Sequence, residues 1–241
     1  IPSQMFNAID SVPLTAIAFF MLTGELMTSA TITDRLVSLS RALIGRIRGG
    51  LAQVNVLVSM FFAGMNGSVV ADTATVGALV LPAMKKAGYP AAFSAAVTGV
   101  SSTIGGIIPP SIMMIVLANS TEISIAALFA AGIIPGVLIG IVIMVINHYF
   151  AIKYNFERSD QPFSVRRAGK ELYRSSFALL IPLVLVGSVM GGVASVVEAG
   201  AITAMVALFT GVFVYRTIKW KDCTGAFRRA FRNSAMVFII I

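Results

Sequence analysis

Gly105-Gly106-Ile107-Ile108-Pro109-Pro110-Ser111 lies inside an apolar segment that runs from Ala91 to Ala118. Proline has no N–H, so Pro109 and Pro110 cannot donate to the carbonyls four residues back, which belong to Gly105 and Gly106. Two glycines at those positions make it easier to leave helical geometry. The spacing predicts a broken helix. Its first half ends in free carbonyl oxygens, and its second half, starting near Ser111, opens with free N–H groups and a positive dipole end. Carbonyl oxygens suit a bare cation such as Na⁺, and an N–H end suits a carboxylate, the paired chemistry of secondary transporters. A plain proline kink is the alternative, since membrane helices tolerate one. The hydroxyls of Ser101, Ser102, Thr103 and Ser111 around the break favour the first reading.

A second interruption precedes it. Asn66-Gly67-Ser68-Val69-Val70-Ala71-Asp72-Thr73-Ala74-Thr75 divides the apolar stretch from Leu51 to Met84. About 16 residues flank Gly67 on either side, the lower edge of what crosses a bilayer. Two short spanning helices with an external turn would fit. So would a re-entrant hairpin whose tip stops at mid-membrane, buried in protein or facing a wet cavity. Asp72 favours the hairpin, because an ionised carboxylate within a membrane segment is costly and marks a functional site by default. Small residues at Ala63, Gly64, Gly67, Ser68, Ala71 and Ala74 would let the tip approach other backbone closely.

The rest of the chain has the composition of a membrane protein. Of 241 residues 57% are hydrophobic and 12% charged, about half the charged share of an ordinary soluble domain. Further apolar runs occur at Val12 to Ala30, Ile123 to Ile152 (with an expected interruption at Gly132 and Pro135), Phe177 to Ala194 and Ala199 to Tyr215, and another is expected to begin near Ser234. The net charge of +8 comes from 18 Lys and Arg, all in four connections: Arg35 to Arg48, Lys85-Lys86, Lys153 to Arg174, and Arg216 to Arg232. The connections near Asn119 to Glu122 and Ala194 to Glu198 carry none. One path places every basic connection on the cytoplasmic side, so these charges set orientation and call for no nucleic-acid partner. Thr33 to Arg48 reads as an amphipathic helix at the lipid interface, with Leu36, Val37, Leu39, Ala42, Leu43 and Ile47 on its apolar face. Lys153 to Arg174 reads as a solvated loop. The fold class is therefore all-α and polytopic. The first span and arm helix occupy 1–48, a core with hairpin and broken helix 49–120, and further spans with a cytoplasmic loop 121–241. The chain opens without Met and closes inside an apolar run, as a fragment would.

Enzymatic chemistry finds little support. Cys223 is the single cysteine, which excludes an internal disulfide or a multi-cysteine zinc site. The one histidine, His148, falls near the cytoplasmic end of a span with no nucleophile–base arrangement around it. An intramembrane enzyme and a non-transporting scaffold subunit remain as rivals from other classes. A scaffold has no need for Asp72 beside a Gly-Ser tip or for a Gly-Gly…Pro-Pro break. Glu25 is either an intramembrane carboxylate or a pairing residue near the cytoplasmic end.

The stretches FMLTGELM (Phe20 to Met27), GRIRGGLAQVNVLVSMFFAGMNGSVVADTATVG (Gly45 to Gly77), LPAMKKAGYP (Leu81 to Pro90), STIGGIIPPSIMMIV (Ser102 to Val116) and SIAALFAAGIIPGVLIG (Ser124 to Gly140) resemble, in this order, the large DctM-like membrane subunit of tripartite ATP-independent periplasmic (TRAP) transporters. The match is weakest at Gly191 to Ile202, where the family's usual Thr-Pro-Thr-Glu is Ser195-Val196-Val197-Glu198. The resemblance implies an elevator-type transporter of the bacterial inner membrane, built from two inverted repeats, of which this chain would hold the first and the entry to the second. It implies uptake of small organic anions such as C4-dicarboxylates, coupled to Na⁺ with no other cofactor. The implied partners are a periplasmic substrate-binding protein, a small four-helix membrane subunit and membrane lipid. Another Na⁺/organic-anion elevator family would share both devices. Carried onto this sequence, the implied Na⁺ site is backbone around Asn66, Gly67 and Ser68 facing Gly105, Gly106, Ile108 and Pro110. Ser68, Asp72 and Ser111 are the candidates for polar contact with ion or substrate.

Overall fold

A computed structural model describes residues 12–44, 47–156 and 163–240 of the chain. Arg46 and Arg158, two of the basic residues that define the expected topology, lie outside the described residues. Among the described residues the chain is helical and has no strand. The elements are α1 (Val12–Ser29), α2 (Ile32–Ile44), α3 (Gly50–Asn66), α4 (Val69–Lys86), α5 (Ala91–Ser102), a 3₁₀ turn (Thr103–Gly106), α6 (Ile112–Thr121), α7 (Ile125–Lys153), α8 (Val165–Met190), α9 (Val196–Phe209), a π-turn (Thr210–Val214) and α10 (Trp220–Ile240). Among the described residues three helices are long and apolar enough to cross a membrane: α7, α8, and α9 with its π-turn. The bent pair α1–α2 makes a fourth if taken together. The protein is an all-α, multi-pass membrane protein.

The two ends of the bundle are built differently, as the distribution of charge requires. At one end α1 turns by 72° into α2. Leu36, Leu39 and Ala42 of α2 are buried, and its helix dipole is matched by Asp34 in the first turn and Arg41 in the last. Arg35 stacks 3.8 Å over the Tyr215 ring, and the Tyr215 hydroxyl donates to the Arg174 carbonyl at 3.1 Å. Thr217 Oγ1 donates to Ala30 O at 2.8 Å. The start of α3 meets the end of α7, where Gln53 Nε2 donates to Met144 O at 2.8 Å. Beside it Tyr89, Phe93, Phe150, Tyr154 and Phe156 form one aromatic cluster. These contacts gather the basic connections at a single end, the arrangement that the positive-inside rule asks for. At the opposite end Leu14, Ile112, Ile115, Phe129, Leu185, Val189 and Ala199 pack into a separate apolar cluster.

Four expectations from the sequence need correction. No break occurs at Gly132 and Pro135: α7 is continuous over 29 residues. Backbone groups in hydrocarbon have no water to turn to, so a helix that loses one donor at proline keeps the rest. The α7 glycines serve close packing instead. Gly132 faces Ile107 O and Met114, Gly136 faces Ile108, and Gly140 faces Met60, along one stripe with a four-residue period. Second, α8 starts at Val165, so much of the expected loop is helix, held to α2 by Ser175 Oγ donating to Arg35 O at 3.4 Å. Third, α10 starts at Trp220 rather than near Ser234 and packs on α1. Arg229 joins Glu25 at 2.6 Å and Asn233 donates to Glu25 at 3.1 Å, so Glu25 is a pairing residue. Fourth, the arm helix runs Ile32–Ile44, so Ile47 and Arg48 lie outside it.

The α7 glycine stripe yields a test. A Cβ at Gly136 would land on Ile108 Cγ1 and lie 3.4 Å from Ile108 N, whereas one at Gly187 meets nothing within 4 Å. G136A should lower stability by about 1–3 kcal/mol through overpacking. G187A should be neutral or stabilising by up to about 1 kcal/mol through helix propensity. Melting of the two purified variants in detergent measures the difference; equal melting temperatures would contradict the packing role.

Candidate functional site: a hairpin tip closed on a helix break

The chain reverses between α3 and α4 within two residues. Gly67 has φ 60° and ψ 16°, the left-handed conformation that ends a helix at little cost only for glycine. Its N–H returns to Ala63 O at 3.2 Å. Ser68 then caps α4: its hydroxyl accepts from Ala71 N at 3.3 Å, and its own N–H donates to Asn66 Oδ1 at 3.1 Å. The turn is thus satisfied locally, as a turn remote from water must be.

The second interruption is joined across the same point. After α5 and its 3₁₀ turn, the chain passes through Pro109 and Pro110, both buried, and restarts at Ile112. Ser111 ties the two halves together. Its hydroxyl donates to Gly106 O at 2.8 Å and accepts from Met114 N at 3.3 Å. Ile112 N donates to Gly67 O at 3.2 Å, a hydrogen bond from the restarted helix to the hairpin tip. A Cβ at Gly67 would fall on Pro110 O and lie 2.9 Å from Ser111 Cα, and one at Gly105 would lie 3.7 Å from the Ser68 carbonyl. Gly67 is therefore glycine twice over, for its φ and for the backbone it touches.

Tip and break sit deep in the bundle. Gly64 approaches Pro182 of α8, and Asn66 packs on Gly24 of α1. Gly132 and Gly136, which hold Ile107 and Ile108, lie about 10–16 Å along α7 from its Ile125 end at 1.5 Å per residue. The hairpin ends against the interiors of spanning helices, not beyond their ends. That is the geometry of a re-entrant segment rather than of an external turn.

The expected residues separate into three groups. Gly67, Ser68, Gly105, Pro110 and Ser111 come together at the junction. Asn66 and Ile108 lie close by: Asn66 packs its Cβ on Gly24 of α1 while its Oδ1 accepts from Ser68 N, and the Ile108 side chain faces Gly136 of α7. The expectation of free groups at the break is corrected in part. Gly106 O is engaged by Ser111, and the Ile112 and Met114 amides are engaged by Gly67 O and Ser111 Oγ, because unpaired backbone at this depth would be too costly. Asp72 lies one turn beyond the tip and faces inward between α3, α4 and α5. It is fully buried, and neither carboxylate oxygen has a hydrogen-bond partner. Ser59 and Ser102 are its polar neighbours. Ser102 donates to Thr98 O at 2.8 Å, and Ser59 shares a hydrogen bond with Ser101 Oγ at 3.2 Å in which either hydroxyl can be the donor. Asn55 completes this seam, with its Nδ2 donating to Thr98 Oγ1 at 2.7 Å. Asn55 and Ser59 escaped the sequence reading, although two polar residues four apart in an apolar helix mark one face. Among the described residues no group of three or more His, Cys, Asp or Glu is placed to hold a metal ion. Glu198 closes a capping box with Ser195 at the start of α9, its carboxylate accepting from Ser195 N at 2.7 Å.

The close approach at Gly67 sets a measurable cost. G67A should destabilise the protein by more than the about 1–2 kcal/mol of a left-handed alanine, since its methyl also meets Pro110 and Ser111. G88A, at φ 79° with nothing within 4 Å, should cost the conformational part alone. Similar melting temperatures for the two variants would mean that tip and break do not touch.

The chain is similar to known membrane proteins over its whole length. The family model described as the tripartite ATP-independent periplasmic transporter, DctM component, matches residues 1–241. The sialic acid TRAP transporter large permease protein SiaM of Vibrio cholerae is 34% identical over 238 residues, 99% of this chain and 56% of that protein. The C4-dicarboxylate TRAP transporter large permease protein DctM of Pseudomonas aeruginosa is 34% identical over 238 residues, with the same coverage of 99% and 56%. The 2,3-diketo-L-gulonate TRAP transporter large permease protein YiaN of Escherichia coli K12 is 35% identical over 237 residues, 98% of this chain and 56% of that protein. The chain spans about half the length of these relatives.

Proposed function

The chain belongs to the DctM component family of tripartite ATP-independent periplasmic transporters, and from that membership we propose that it carries half of the ion-coupled pathway of a permease importing small organic anions. The observation that carries the reading is the hydrogen bond from Ile112 N to Gly67 O, which closes a hairpin tip on a helix break inside the bundle. Interrupted backbone of this kind is retained at membrane depth where it is buried in protein or lines a cavity, and it is the usual material of ion and substrate sites in secondary transporters.

The coupling ion in this reading is Na⁺. Backbone around Asn66, Gly67 and Ser68 on one side, and Gly105, Gly106, Ile108 and Pro110 on the other, would supply neutral oxygens to it. Such oxygens replace a hydration shell without adding charge to the membrane interior. Ser68 and Ser111, each capping a helix that starts at the junction, are the polar side chains nearest to it. Val70 and Met113, 80% and 68% exposed, flank these two helix starts and leave them accessible from one side. A carboxylate substrate is suited to two converging helix N-termini. The relatives named above carry sialic acid, C4-dicarboxylate and diketogulonate, all organic anions. A periplasmic binding protein, a small membrane subunit and a bacterial inner-membrane location belong to the same proposal, as does an elevator-type movement of the hairpin and broken helix.

Reconstituted with its partners in liposomes, the complete permease should accumulate a labelled organic acid under an inward Na⁺ gradient and not under an equal K⁺ gradient. Replacing Pro109 and Pro110 together by Ala should restore helical hydrogen bonding across the break and reduce Na⁺-driven uptake at least tenfold. Uptake indifferent to Na⁺, or unchanged in the double variant, would contradict the proposal.

A further inference from the structure

We propose that Asp72, with the hydroxyls of Ser59 and Ser102, forms a second monovalent-cation site, separate from the backbone junction at the hairpin tip. This deepens the ion-coupled reading and rests on it. Three observations carry it. Asp72 is fully buried, yet both of its carboxylate oxygens lack a hydrogen-bond partner. The two ion pairs among the described residues, Arg174 with Glu171 and Arg229 with Glu25, leave no Lys or Arg joined to it. Its surroundings are oxygen-rich: Ser59 from α3 and Ser102 from α5 stand beside it, with Ser101 and Asn55 behind.

A negative carboxylate in such a place is strongly unfavourable unless a positive charge joins it. A cation seated between Asp72, Ser59 and Ser102 supplies that charge. The hydroxyls can donate to Thr98 O and to Ser101 while turning a lone pair to the ion, because a hydroxyl offers two acceptor positions as well as one proton. Hard oxygen donors of this kind suit Na⁺. Asp72 also lies in the first turn of α4, beside the positive end of that helix's dipole. The two sites then differ in kind. The junction holds its ion with neutral backbone, and the seam holds its ion with a full negative charge, so the loaded seam crosses the bilayer interior as a neutral unit. Because α3, α4 and α5 all contribute, an ion here would also lock the hairpin to the first half of the broken helix.

The test is a Na⁺ titration of the melting temperature of the purified protein, with choline holding ionic strength constant. It is run on wild type, D72N, the S59A/S102A double variant and G67A. The proposal predicts that D72N raises the half-saturating Na⁺ concentration at least tenfold, or removes one ion from the steepness of the titration. S59A/S102A should move it the same way by severalfold, which keeps the test open if D72N does not fold. If D72N and S59A/S102A titrate like wild type while G67A loses its Na⁺ response, the seam is not an ion site and the junction reading stands. If no protein responds to Na⁺, both readings fail. If D72N differs from wild type in its response to pH but not to Na⁺, Asp72 carries a proton instead and the proposal is overturned.

Discussion

A backbone N–H or C=O in the interior of a membrane has no water to bond, and this chain presents two places where helical bonding stops. Its architecture follows from the way these two interruptions satisfy each other. Gly67 O takes the Ile112 amide, Ser111 takes Gly106 O and the Met114 amide, and Ser68 takes the Ala71 amide. Neither interruption would be tolerable alone at that depth. Together they form a compact polar knot, and the apolar helices around it are shaped to admit it.

That shaping explains features that would otherwise look unrelated. Gly24 on α1 leaves room for Asn66, and the stripe of Gly132, Gly136 and Gly140 on α7 leaves room for the break and for Met60. A Cβ at Gly24, Gly132 or Gly136 would press on Asn66, Ile107 or Ile108 at the knot. The basic end of the bundle serves a different purpose. There Arg35, Tyr215, Arg174 and the aromatic cluster around Tyr89 and Phe156 anchor the helices that carry the knot. The Glu25–Arg229 contact ties α1 to α10 near that end, with the Arg229 guanidinium side chain still 44% exposed. The result is a polar junction enclosed by packed apolar helices.

Much of this was legible in the residues because its causes are local. Pro109 and Pro110 lack donors wherever they sit, and Asn66-Gly67-Ser68 reads as a turn by its own chemistry. The gathering of the basic connections at one end of the bundle was legible because lysine and arginine mark those connections in the sequence. What the sequence hid depends on tertiary context. Glycine in a helix marks either a bend or a close neighbour, and Gly132 with Pro135 resembles a bend until Ile107 is seen against it. Helix α10 carries too much charge to register as a membrane segment, so its start at Trp220 was invisible to hydropathy. Ser111 gave no sign that it would close the carbonyl end that Pro109 and Pro110 open. Asp72 was conspicuous, but its withdrawal from the tip toward Ser59 and Ser102 is a property of three helices packed together.

The central claim is that the hairpin tip and the helix break meet within the bilayer. A cryo-electron-microscopy map of the complete protein in a lipid nanodisc measures this most directly, because the lipid belt marks the depth of every residue. The account predicts Gly67 beside Pro110, both roughly 10 Å or more inside the outer edge of the belt, as the rise along α7 requires. Gly67 emerging beyond the belt, or continuous helical density from Ser102 through Ile112, would contradict it.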